Sequence, residues 1–186
     1  MALDFENSLR RSRIETSRYE FKQGVLRLDD LRARDDRLFV RLAETICGIA
    51  NVQRGHEGYL FIGVADKEAD VKRIEKLDSV APVLVGRHHH VVGVDREAKA
   101  LKISLDAYVQ RFVTKLSQQP ISDPLATQIL SGVDTIEYKG LSVIRVLIPG
   151  QSDLSYCGDR VFIRRGSSTE EVTEVRKIAA LAKGFS

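Results

Sequence analysis

Six consecutive residues, Tyr59-Leu60-Phe61-Ile62-Gly63-Val64, form a nearly unbroken apolar run bounded by glycines at 55 and 58 and by Asp66. A short run rich in aromatic and branched side chains, ended by turn residues, has the character of a strand covered on both faces. It therefore predicts the middle strand of a sheet with helices packed against it. No apolar stretch approaches the roughly 18 residues of a membrane span, and the N-terminus lacks the apolar core of a secretory signal, so neither membrane association nor export is expected. At 186 residues and 43% hydrophobic content, one domain is expected to bury most of its apolar surface.

The flanking segments carry their own periods. Residues 19–22 alternate aromatic and charged side chains, predicting a short half-buried strand that Gly24 ends. From Asp36, Leu38, Phe39, Leu42, Ile46 and Ile49 recur at helical spacing, predicting a helix over 37–51. Residues 66–78 are highly charged with no clear period, and strands are expected at 80–85 and 90–94, so 67–86 looks like an excursion of the sheet. Leu105, Tyr108, Phe112 and Leu116 predict a second helix, stopped before Pro120. Residues 127–137 and 141–148 flank Tyr138-Lys139-Gly140 and predict an antiparallel hairpin. A strand follows at 161–164, and Ser168 with Glu171 makes a capping-box pattern that predicts a final helix. The order indicates an α+β fold with a mixed, largely antiparallel sheet flanked by helices. Residues 1–12 are expected as a basic extension preceding one domain over 13–183.

Cys47 and Cys157 have no spacing that makes a zinc site or disulfide framework, so a reduced, cytoplasmic setting is the expectation. The formal net charge of +3 indicates a polyanionic partner only if positive charge is clustered. Two clusters are present, Arg10, Arg11, Arg13, Arg18 and Lys22 near the start and Arg160, Arg164 and Arg165 near the end, although solvated surface charge is the plainer reading of each. Gly58 and Gly63 have the gap of a P-loop, but Val64 stands where its lysine belongs, so ATP binding is not expected. His88, His89 and His90 read more readily as a loop-to-strand junction than as metal ligands.

Glu15, Glu20 and Asp66 carry the stronger chemical signal. Oxygen ligands suit Mg²⁺ or Mn²⁺, which polarise phosphodiesters and activate water. Glu15 and Glu20, five residues apart, lie on opposite faces of a continuous strand and about 140° apart on a helix, so they converge only if the chain bends at Thr16-Ser17. The alternative is that Glu20 makes a structural ion pair with an arginine while Glu15 and Asp66 are solvated.

In order along the chain, the segment from Glu15 to Lys22 with its Glu-Phe-Lys end, the helix running into Ile49-Ala50-Asn51, the strand 58–64 followed by Asp66, and Val161-Phe162-Ile163-Arg164-Arg165-Gly166-Ser167-Ser168-Thr169 resemble the Schlafen AlbA-type, or divergent AAA, domain. The resemblance implies a nucleic-acid-binding domain, in some members a metal-dependent endoribonuclease acting on transfer and ribosomal RNA. The catalytic and metal-binding carboxylates of those nucleases match Glu15, Glu20 and Asp66. On that reading Lys22, Arg18, Arg164 and Arg165 are expected to contact backbone phosphates, a role that suits arginine's fork of donors, with Ser167 and Ser168 offering donors at a helix start. The expected function is thus an RNA endonuclease, RNA being favoured over DNA, with a non-catalytic DNA- or RNA-binding module as the alternative. Two features depart from the family pattern, a longer connection at 52–58 and the excursion at 67–86. The nucleases also build their cleft from two lobes, so a homodimer is expected of this single-lobed chain.

Overall fold

The computed structural model describes residues 2–11, 16–33, 35 and 37–185. The chain opens with helix α1 (Ala2–Arg11) and a 3-10 turn (Thr16–Arg18) leading into β1 (Tyr19–Lys22); α2 (Leu38–Ala50), β2 (Gly58–Ile62) and β3 (Val64–Ala65) follow. Next come α3 (Glu68–Asp78), β4 (Val83–Val85), β5 (His89–Val91), α4 (Asp95–Ala100), α5 (Leu105–Ser117) and α6 (Leu125–Ser131). The hairpin β6 (Val133–Tyr138) and β7 (Leu141–Ile148), the hairpin β8 (Val161–Arg165) and β9 (Ser168–Val172), and α7 (Val175–Lys183) complete the chain.

The main sheet has the order β1-β2-β7-β6, with β1 and β2 parallel and the other pairs antiparallel. β2 is therefore internal, as its apolar run requires, and β1 is an edge strand. Leu60 and Ile62 face one side of the sheet and join Leu42, Ile46 and Ile49 of α2 with Phe112 and Leu116 of α5. Phe61 faces the other side and meets Phe5 and Leu9 of α1 with Val85 and Val91 of the small sheet β3-β5-β4. Residues 2–11, expected within a basic extension, are thus a helix whose Phe5 and Leu9 are almost fully buried. The phenyl ring of Phe5 packs edge-on against Phe61 at 5.4 Å.

The apolar run divides at Gly63. Its φ of +107° is a backbone state that side chains rarely adopt, and a Cβ there would lie 3.2 Å from the Ser142 carbonyl. The Gly63 N–H donates to Lys22 O at 2.8 Å, and its carbonyl accepts from Val92 N at 2.9 Å and Gly93 N at 3.0 Å. One residue therefore ties the end of β1 to the end of β5 and turns the chain from the main sheet into the small one.

Several expectations are corrected by tertiary pairing. Residues 68–78 form α3, held by only Val71 and Ile74, too thin an apolar stripe to show as a period. Residues 125–131 are α6 and not the beginning of a strand, because Leu125 and Ile129, four apart, bury together. The capping-box reading fails as well. Ser168–Val172 pairs with β8 in the register Val161↔Val172 to Arg165↔Ser168, closed by Gly166 at φ +58°, and the last helix starts seven residues later at Val175. Cross-strand pairing there outweighs a local cap worth about 1 kcal/mol. The expected strand at 80–85 shortens to Val83–Val85, and the one at 90–94 becomes His89–Val91.

Candidate nucleic-acid interface

Alternation along β1 places Tyr19 and Phe21 on the α1 side of the sheet and Glu20 and Lys22 on the other. Glu20 is held from two directions. Lys22 Nζ lies 2.6 Å from Oε1, and the Arg164 guanidinium of β8 lies 2.9 Å from Oε2. The arginine side chain is 2% exposed and also donates to Thr169 Oγ1 at 3.0 Å and Tyr19 O at 3.2 Å. Thr169 in turn shares a hydrogen bond with Thr45 of α2 at 3.1 Å. A continuous polar chain therefore runs from α2 through the β8–β9 hairpin to the edge strand. The ion pair between Glu20 and an arginine, the alternative raised by the sequence, is present, and Arg164 is spent on holding β1 in place of facing solvent.

Because Gly63 links the ends of β1 and β5, Asp66, just beyond β3, comes to the same region as Glu20. Both line a cleft of ≈ 750 Å³ along β1, together with Lys22, Lys67, His88, His89 and Ser167. Asp66 and Lys67 are exposed to it. His89 packs on the Phe21 ring, centroids 4.4 Å apart, and its burial pushes its pKa below the ordinary imidazole value while the Asp66 charge opposes the shift. Glu15 lies outside the described residues.

The remaining sequence candidates are dispersed. Arg18 precedes β1 and contacts His56 of the α2–β2 connection at 2.9 Å. Arg165 is 65% exposed at the hairpin tip, with Glu170 3.4 Å away. Ser167 occupies the hairpin turn and Ser168 opens β9, so neither stands at a helix N-terminus.

The far wall of the cleft, residues 23–27, rests on a buried charge cluster that spacing did not reveal. Glu97 is fully buried, accepting from Val25 N at 2.9 Å, Leu26 N at 3.1 Å and Tyr108 Oη at 2.6 Å. Arg96 beside it donates to Gln23 O at 2.6 Å and Asp78 Oδ2 at 2.9 Å. Gly24 passes so close that an added Cβ would fall 1.9 Å from Glu97 Oε1. Asn51, 1% exposed, performs a similar service for β8, donating to Ser155 O and Phe162 O and accepting from Ser155 N. The Ile-Ala-Asn segment was legible as a motif, but its cross-linking role was not.

The profile of the family "Schlafen, AlbA_2" matches residues 15–173. The chain belongs to this family. Membership makes it a nucleic-acid-related domain, and the matched span runs from Glu15 through β9. Among solved structures, the chain is similar to the DIP2311 protein of Corynebacterium diphtheriae, at 17% identity and a TM-score of 0.46 over 85% of this chain. The chain spans 22% of that protein's length. No curated protein sequence matches it. Among the described residues, no helix is long and apolar enough to cross a membrane.

Among the same residues, no three carboxylate, histidine or cysteine groups form a ready metal cage. Magnesium and manganese, however, are commonly held by one or two carboxylates completed by waters and phosphate oxygens. Glu20 and Asp66 line one cleft, but both Glu20 oxygens already carry Lys22 and Arg164, so an ion held there would have to displace the lysine.

Proposed function

We propose that this Schlafen AlbA-type domain binds RNA along the β1 cleft and cuts it as a metal-dependent endonuclease. The observation that carries the reading is that Glu20 of β1 and Asp66, just beyond β3, line one cleft beside Lys22 and Lys67. The same cleft is lined by Asp35 and Asp70 and by Arg27 and Arg41, so four carboxylates share it with four cationic side chains, Arg41 pairing with Asp35. A divalent ion at Glu20 and Asp66 would add the local positive charge a phosphodiester needs beside them. Glu20 and Asp66 would hold Mg²⁺ or Mn²⁺, with Glu15 as the third ligand implied by family resemblance. A bound divalent ion supplies charge neutralisation at the phosphate and a more acidic water.

Lys22 and Lys67 contact non-bridging phosphate oxygens, and Arg165 with Ser167 extends those contacts along the hairpin tip. Arg164 acts as a positioning residue, fixing the Glu20 carboxylate. Arg18, against His56, and Ser168, at the start of β9, lie outside the cleft lining and would reach only a strand that extends beyond it. A homodimer would supply the second lobe, and sedimentation measures it directly.

The test incubates labelled transfer RNA with the protein and Mn²⁺. Cleavage is expected in the native chain and is lost in Glu20→Gln and Asp66→Asn, with RNA retention preserved. Cutting that persists in both variants removes these carboxylates from the chemistry. One observation favours a second reading, binding without cleavage: both oxygens of Glu20 already hold cationic side chains. That reading predicts salt-sensitive retention of RNA or DNA with no metal-dependent product.

A further inference from the structure

A second cavity, of ≈ 560 Å³, opens on the opposite side of the segment that walls the β1 cleft. The two share Val25, Leu26 and Asp35, so they are neighbouring compartments of one trough. Its floor is apolar and aromatic: Phe39 of α2 and Phe112 of α5 lie 5.6 Å apart with their rings tilted by 50°, beside Leu101 and Tyr108. Its rim is cationic. Arg111 and Lys115, one helical turn apart on α5, are exposed, and neither forms an ion pair among the described residues. The amides of Gln110 and Gln118 complete the rim.

We infer that this cavity is a nucleotide subsite, taking an unpaired base of the same RNA strand whose phosphodiester lies in the β1 cleft. The inference rests on the reading of that cleft as an RNA site. Three physical features point to a base. An apolar, aromatic floor matches the face of a base, amide groups match its hydrogen-bonding edge, and two free cations one turn apart match the phosphates on either side of it. The volume lies within the range of about 300–1,000 Å³ usual for small-ligand pockets. A stacked, paired base cannot enter such a cavity without leaving its helix, so the subsite selects for single-stranded or looped RNA. The buried Glu97 cluster then has a further consequence. By pinning Val25 and Leu26 from behind, it fixes the partition between the two compartments and hence the spacing between the bound base and the phosphate.

The experiment measures fluorescence anisotropy of a labelled single-stranded RNA and of a blunt RNA duplex of equal length, with Ca²⁺ present to support binding without turnover. In Arg111→Glu/Lys115→Glu, affinity for the single strand is expected to fall at least about tenfold. Its salt dependence should flatten by about 1.4 in log–log slope, two phosphates at about 0.7 each. Duplex affinity is expected to change less than about twofold. Thr114→Trp, which fills the cavity from its exposed rim without altering charge, is expected to weaken the single strand alone. Thermal melting confirms that each variant is folded, since all three positions are exposed. Equal losses for strand and duplex, or unchanged single-strand affinity in both variants, would overturn the subsite and leave the β1 cleft reading standing. Absence of RNA retention by the native chain would overturn both.

Discussion

Replacing Arg164 by alanine tests whether this arginine holds the edge strand or serves the solvent. The substitution removes the ion pair with Glu20 Oε2 and the hydrogen bonds to Thr169 Oγ1 and Tyr19 O. Removing one partner of a buried ion pair costs about 3–5 kcal/mol, because the remaining charge stays desolvated. Glu20 retains Lys22 and is 14% exposed, so water compensates in part and the lower end, ~3 kcal/mol, applies. With an m-value of about 2 kcal/mol/M in urea, the unfolding midpoint should fall by about 1.5 M at unchanged slope. Glu20→Ala and the double variant complete a cycle in which the coupling is expected near 2 kcal/mol. Arg164→Lys keeps the charge but loses the planar fork, and should recover less than half of the loss. A destabilisation below about 1 kcal/mol with no coupling would refute the argument and return Arg164 to the role of a phosphate contact.

Gly24→Ala drives a methyl group into the Glu97 carboxylate and should cost about 2 kcal/mol, seen as a fall in Tm of roughly 4–8 °C. Tyr108→Phe deletes the 2.6 Å bond to buried Glu97 and should cost about 1.5–3 kcal/mol by urea unfolding. The pKa of His89 is lowered by burial, so between its native value and about 6.5 the unfolded chain binds more protons than the folded one. Stability should therefore fall as pH drops below about 6.5, and His89→Gln should flatten that part of a pH–stability curve measured without divalent ions. The Cys47 thiol is pushed well above the ordinary thiol range by its hydrogen bond with Cys157 and by burial, while the same bond holds Cys157 lower. Both side chains are buried, so a thiol reagent should label neither in the native protein and both in urea, as counted by mass spectrometry.

How much of this was readable beforehand depended on the distance over which each feature is decided. The strands at 58–62 and 141–148 and the helix at 38–50 were legible because local apolar period and burial agree. The helices at 68–78 and 125–131 were not, since two apolar residues on one face do not distinguish a helix from a strand. At 168–172 a local cap signal lost to a partner strand three to eleven residues upstream. The site shows the same division. Glu20, Lys22 and Asp66 were singled out by residue type and by resemblance to the family, spacing alone favouring a structural ion pair, whereas Glu97, Arg96 and Asn51 look like ordinary polar residues of helices until their burial is known.

Sequence alone determined which chemistry is available: an apolar central strand, carboxylates beside lysines near its ends, and an ordered set of motifs that marks the family. Those follow from residue type and short-range period, which the chain carries wherever it goes. Tertiary structure decided what each charge is for. Gly63 carries Asp66 into the cleft beside β1, Arg164 is withdrawn to hold Glu20, and buried Glu97 sets the wall between the two compartments. The physical reason is that a charged group's role depends on its solvation and partners, and both are settled only when segments distant in sequence are packed together.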